Sequence, residues 1–322
     1  MTTDPRFAVP VEAGLDVSIV PIASANPVNF RDAIAGTAPG IDINGALTVP
    51  DGTGPHPAVV IVPGSAGVSP NHLRHAVTLA AAGFAVLLVD PFTARAVTST
   101  VANQTQYSFA ASAHDVLAAL RLLAGDPRID TRRISAQGHS RGGTAVIQAT
   151  MRVFADPIVG ELAFAGTYAV YPWCGQQFLD ARVGRTVVRT IVGDQDEWCS
   201  VATAQSQTNT IRLAGGESSI RIVPGAHHSF DRHEDVGLVA EARVSPDAPV
   251  EYVADDGSMI DPLTGTADPM RSDIDQFRYA ANAGFGRKGA RMGGGPGLPE
   301  LFDEDMLAFH RRVLNGHTDP SH

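Results

Sequence analysis

The sequence predicts an α/β fold: a mostly parallel central sheet with helices on both faces, preceded by an antiparallel N-terminal hairpin. Three observations carry this expectation. Short runs rich in Val, Ile and Leu recur along the chain, as strands covered on both faces require. Segments of helical period separate them. Ahead of the first run, "GLDVSIV" (14–20) and "GIDINGALTVP" (40–50) alternate apolar and polar residues, the pattern of half-buried antiparallel strands.

The elements then follow in order. "PAVVIVPGSAG" (57–67) is a buried strand stopped by Pro-Gly, and "NHLRHAVTLAAAG" (71–83) is a helix stopped by Gly83. "FAVLLVDPF" (84–92) is a second buried strand, followed by a helix over 108–124. A short strand "RISAQG" (133–138) leads into a helix from Arg141 to Phe154. Strands at 162–172 and 185–194, a helix over 201–214, a strand at 219–225 and a last helix over 298–316 complete the alternation. The whole chain, 1–322, reads as one domain. Residues 231–297 break the rhythm with "DDGSMIDPLTGTADP" and "GARMGGGPG" and read as a long loop-rich excursion after the last strand, a candidate lid.

Composition narrows the function. With 44% hydrophobic and 18% charged residues the chain has the makings of a large core. A net charge of −10 without a basic cluster speaks against nucleic acid, and no apolar stretch suits a membrane span, so a small-molecule substrate in the cytoplasm is expected. Oligomeric state is not legible. Two cysteines, Cys174 and Cys199, are too few for a disulfide scaffold. They read as reduced, buried thiols, with a single disulfide as the alternative.

The chemistry centres on "GHSRG", where Ser140 falls between strand and helix. Flanking Gly138 and Gly142 permit a sharp turn that lifts a nucleophilic hydroxyl above the strand ends. A serine needs a histidine to take its proton and a carboxylate to orient that histidine, each following a later strand. "IVGDQDEWCS" (191–200) offers Asp194, Asp196 and Glu197, and "VPGAHHSFD" (223–231) offers His227 and His228. Spacing alone does not choose among them. His72, His75 and His233 lack any metal-ligand spacing, so no metal is expected, and the two helix histidines read as exposed. Trp173 and Trp198, near strand ends, are candidates for the substrate pocket.

"GHSRGG", "GDQDEWC" and "GAHHSFD", with "VPGSAG" ahead of them, resemble the dienelactone hydrolase-like branch of the α/β-hydrolase superfamily over about residues 40–231. The resemblance implies the α/β-hydrolase fold and selects Asp196 as the acid and His228 as the base, with Asp194 and His227 as runners-up. It places the oxyanion hole at the backbone N–H of Arg141 with that of Ser65, or of Ala66. Two features depart from the pattern. Dienelactone hydrolases proper carry cysteine where this chain has Ser140, and the strand-end motif begins Pro63-Gly64 rather than His-Gly.

The expectation is therefore a cofactor-independent serine esterase, with lactones as further candidates, working through Ser140, His228 and Asp196. The same residues would also serve a peptidase, a carbon–carbon hydrolase or an acyltransferase, and a catalytically silent binding protein is the alternative outside catalysis.

Overall fold

A computed structural model describes residues 8–315. Residues 1–7 and the last expected helical residue, Gly316, lie outside the described residues. The elements are α1 (Ala8–Glu12), β1 (Ser18–Ala25), α2 (Phe30–Ile34), β2 (Gly40–Thr48), β3 (His56–Val62), α3 (Pro70–Ala81), β4 (Ala85–Asp90) and α4 (Phe109–Ala124). Next come β5 (Ile129–His139), α5 (Arg141–Gln148), α6 (Arg152–Val159), β6 (Gly166–Val170), β7 (Gln176–Phe178), β8 (Val187–Gly193), α7 (Val201–Leu213) and β9 (Ser218–Val223). The C-terminal part holds β10 (Gly237–Val244), β11 (Glu251–Val253), β12 (Met259–Ile260), β13 (Ala267–Asp268), α8 (Asp273–Asn282), β14 (Arg287–Met292) and α9 (Leu298–Leu314).

Eight strands form one sheet in the order β1-β2-β4-β3-β5-β6-β8-β9. The first two pairings are antiparallel and the rest parallel, the expected N-terminal hairpin joined to a parallel sheet. The β-branched run of β3 explains the two-sided core. Ala58, Val60 and Val62 enter one hydrophobic cluster with α4, α5 and α6, while Val59 and Ile61 enter another with α3 and α9.

Two boundaries differ from the sequence reading for identifiable reasons. β1 lies at 18–25 rather than 14–20, because Pro21 reads as a stop yet is tolerated on an edge strand. The helix expected over 141–154 is two helices. Met151 is extended (ψ 117°) and the Arg152 N–H bonds to Arg182 O, which ends the first helical ladder. Cys174 and Cys199 are both buried and free, so the disulfide alternative does not form.

Segment 231–297 carries more regular structure than its composition suggests. β10 and β14 form a two-stranded ribbon, and β13-β12-β11-β7 a small second sheet in which β7 and β11 run parallel. Asp273 at the start of α8 anchors the segment to the main fold, accepting from Phe109 N (2.7 Å) and Gln176 Nε2 (2.7 Å). The apolar side of the ribbon, Ala242, Val244 and Ala290, packs on Trp198 and Cys199.

The turn from β5 into α5 leaves no room for side chains at its glycines. A Cβ at Gly138 would stand 2.0 Å from Gly142 O, and one at Gly142 would stand 2.3 Å from Val62 O. Both obstacles are backbone and cannot swing away. Gly138→Ala is therefore expected to cost about 3 kcal/mol or more. Gly40→Ala, whose nearest new neighbour would be Ser24 O at 3.8 Å, should stay within about 0.5 kcal/mol. Urea midpoints of the two variants check this, and equal midpoints would refute the steric account.

Candidate active site

Ser140 stands at φ 53°, ψ −115°, in the left-handed half of backbone space that a residue with a Cβ rarely occupies. Its N–H bonds to Val170 O at 2.8 Å, and its carbonyl accepts from Thr144 N at 3.0 Å, so the neighbouring strand β6 and the helix α5 hold the turn. The result is a hydroxyl at the strand ends facing the loop after β9.

From that loop His228 brings Nε2 to 2.9 Å from Ser140 Oγ. Its Nδ1 lies 2.8 Å from Asp196 Oδ2, on the turn after β8. The other Asp196 oxygen accepts from Trp198 N (2.8 Å) and Cys199 N (2.9 Å), which fixes the carboxylate with one oxygen free for the ring. The neighbours point elsewhere. Asp194 is exposed and accepts from Gly225 N at 2.7 Å, and Glu197 pairs with Arg291 at 3.0 Å. No hydrogen bond joins His227 to Ser140 or to an acid among the described residues, and its Nδ1 is buried without a partner.

Two aromatic rings hold His228. Trp198 stacks on it at 5.1 Å and 15°, and its indole N–H donates to Arg291 O on β14 at 2.9 Å. Tyr171 lies against the ring at 4.6 Å. Tyr171 is also a strained residue, at φ 36°. The sequence reading named Trp173 and Trp198 as pocket candidates but gave Tyr171 no part.

Ser65 and Ala66 line a recess together with Ser140. Among the described residues the backbone N–H groups of Ser65 and Arg141 donate to no protein acceptor. The Arg141 guanidinium is occupied. It donates to Ser112 Oγ, Gln104 O and Oε1, and Tyr107 O, and lies over the rings of Tyr107 and Phe109. Burial pulls its pKa down to about 10.

Two recesses meet at Ser140 and share Ser65 and Trp198. One, of about 360 Å³, is lined by His228, Asn71, His72 and Arg232. The other, of about 400 Å³, has walls of Phe109, Trp173 and Phe277 and opens past Arg243 into a wider groove of about 940 Å³. Trp173 lies tilted against Phe109 at 4.6 Å and stacks with Phe277 at 5.7 Å. Phe277 and Arg243 come from segment 231–297, whose turn-rich sequence gave no sign of either.

Beneath the site lies a buried polar layer. Contrary to the sequence expectation, His72 and His75 are buried, because α3 packs this face against α9 and stacks His75 on Phe302 at 4.7 Å. Asp231 accepts from Asn71 Nδ2 (2.7 Å) and Tyr171 OH (2.8 Å), with His75 Nε2 at 3.5 Å and His139 Nδ1 at 3.6 Å. His75, His139 and Asp231 thus bring ligand-type atoms within 4.8 Å of one another, as do Asp196, Cys199 and His228. In the first group the Arg74 guanidinium stands 3.4 Å from His75 Nε2 and supplies positive charge where a cation would sit. In the second the Asp196–His228 contact is already a hydrogen bond.

The profile of the dienelactone hydrolase family matches residues 43–248. No curated protein matches the chain. Similar solved structures include an esterase that is 16% identical, with 70% of this chain and 76% of that chain covered and a TM-score of 0.51. Others are the esterase LipW from Mycobacterium marinum (16% identical, 70% and 77% covered, TM-score 0.49) and a hyperthermophilic esterase from the archaeon Pyrobaculum calidifontis (14%, 70% and 80%, TM-score 0.47). At such identities the likeness concerns the fold. No helix among the described residues is long and apolar enough to cross a membrane.

Burial pulls the pKa values of His75, His139 and His310 down to about 3. Burial alone would raise the Asp231 carboxyl, but His139, His75 and the hydrogen bonds from Asn71 and Tyr171 outweigh it and hold it well below the usual carboxylate range. Between pH 6.5 and 3 the unfolded chain therefore binds protons that the native histidines refuse. Stability should fall as pH drops through that window, by up to about 1.4 kcal/mol per pH unit for each histidine, and these groups should contribute no slope above it. Protonation of Asp231 acts in the same direction at the acid end. Urea titrations at pH 8, 7, 6 and 5 test this, and a midpoint unchanged from pH 7 to 5 would contradict it.

Proposed function

The chain belongs to the dienelactone hydrolase family, and on that premise we propose that it is a serine hydrolase of small carboxylic esters, lactones included. The observation that carries the proposal is the unbroken hydrogen-bond chain from Asp196 through His228 to Ser140 Oγ, at 2.8 and 2.9 Å, on a strained strand-to-helix turn.

In this reading Ser140 Oγ attacks the ester carbonyl while His228 Nε2 takes its proton. Asp196 keeps the other ring nitrogen protonated and stabilises the imidazolium that forms. The N–H groups of Arg141 and Ser65 receive the oxyanion, a task that needs donors free of protein acceptors. His228 returns the proton to the leaving alcohol, and water then attacks the acyl-enzyme by the same route in reverse. Each step uses only side chains, backbone and water. Segment 231–297 acts as a cover within the single domain, supplying Phe277 and Arg243 to the wall of the aromatic recess. Free, buried cysteines suit a reducing compartment, and a cytoplasmic setting is proposed with them.

Hydrolysis of short p-nitrophenyl esters tests the reading. Ser140→Ala should abolish both turnover and labelling by a fluorophosphonate. Asp196→Asn should lower kcat by about 10⁴-fold, while Asp194→Asn stays near wild type. Folded Ser140→Ala protein with wild-type turnover would end the proposal, and a greater loss at Asp194 than at Asp196 would reassign the acid.

A further inference from the structure

The two recesses at Ser140 differ in chemistry, and the difference assigns them. Resting on the serine hydrolase reading above, we propose that the recess beside His228 is the leaving-group site and that it selects a small alcohol carrying a further hydroxyl. His228 can protonate a departing alkoxide only if that oxygen lies within hydrogen-bond reach of the ring. The alcohol portion therefore occupies the recess that His228 lines, and the acyl portion the aromatic recess, which His228 does not line.

Three residues that line the His228 recess carry buried polar atoms without partners, and these define what it takes. His72 Nδ1 accepts from Ser69 N at 3.0 Å, which leaves the proton of this neutral ring on Nε2. Burial and the neighbouring His139 keep the ring neutral, with a pKa well below the ordinary value. That Nε2–H is a buried donor without a partner among the described residues. Asn71 uses its amide NH₂ on Asp231 Oδ2, so its Oδ1 is a buried acceptor without one. Arg232 Nε adds a second unpartnered donor.

Two donors and one acceptor on residues that line one recess match the inventory of a hydroxyl, which has two lone pairs and one proton. A carboxylate would meet the Asn71 carbonyl with no proton to offer, and an ammonium would meet the His72 N–H with no lone pair. An apolar leaving group would leave all three atoms unpaired, and a site built to bond a hydroxyl discriminates against the analogue lacking it.

The test is a matched pair of substrates on the wild-type protein: 2-hydroxyethyl butyrate and propyl butyrate, which differ by a hydroxyl in place of a methyl. The hydroxylated ester should have a kcat/KM higher by about tenfold or more. Placing the hydroxyl on the acyl side, as in methyl 4-hydroxybutyrate against methyl pentanoate, should give no such preference. His72→Phe should shrink the first ratio toward one. Equal rates on the first pair, or an equal preference on both pairs, would overturn the proposal while Ser140-dependent hydrolysis of propyl butyrate left the underlying reading standing. Hydrolysis that survives Ser140→Ala would remove both.

Discussion

The backbone of Ser140 is held where a residue with a Cβ does not willingly go, and the surrounding chain is arranged to hold it there. Such a conformation costs on the order of 1–3 kcal/mol and persists only when its neighbours leave no alternative. β5 is paired on both sides, to β3 and to β6, so its end cannot shift along or out of the sheet. Gly138, Gly142 and Gly143 let α5 start almost in contact with the ends of β3, β5 and β6. The interior strands are nearly featureless apolar runs because their task is to be rigid on both faces. The sequence departs from that pattern at the turn, where the strain sits.

A second consequence concerns charge. The site stands over a layer that contains Asp231 and three buried histidines, yet the layer's hydrogen bonds keep the Asp231 carboxylate apart from the Asp196–His228 pair. Tyr171 is the joint between the two. Its hydroxyl bonds to Asp231 and its ring faces His228, so it presents to the imidazole an aromatic surface in place of a second anion. A buried carboxylate satisfied by Asn71 and Tyr171 needs no cation in the site. His139 serves both levels, since its backbone precedes Ser140 while its side chain bonds to Tyr171 and Gln137 below.

How much of this could be read from the chain depends on whether the information was local. The parallel core, the hairpin and the glycine-flanked serine were legible because each is written in contiguous residues. Choosing between Asp194 and Asp196, or between His227 and His228, was not possible from spacing alone, since neighbouring residues on a turn diverge by hydrogen bonding. Asp194 is turned toward Gly225 N and Asp196 toward His228. The β7 to β11 pairing joins residues about 75 positions apart through strands of three residues each, too short to show a period. The burial of His72 and His75 depends on α9, more than 200 residues later, and no local pattern on α3 signals it.

Trp198 draws these parts together. Its ring stacks on His228, lines both recesses and packs against the β10–β14 ribbon, while its N–H is held by Arg291 O on that ribbon. The ribbon also holds the His228 loop directly, through the bond from Gly293 N to His228 O at 2.8 Å. Segment 231–297 and the candidate base therefore share a support. A displacement of β14 large enough to widen the recesses would also withdraw the indole from one face of the imidazole and loosen the loop that carries it. Access to Ser140 and alignment of His228 are in this way coupled by geometry, which explains why so turn-rich a segment is tied down by Asp273, by the Glu251–Arg271 pair and by the small second sheet rather than left as an open loop.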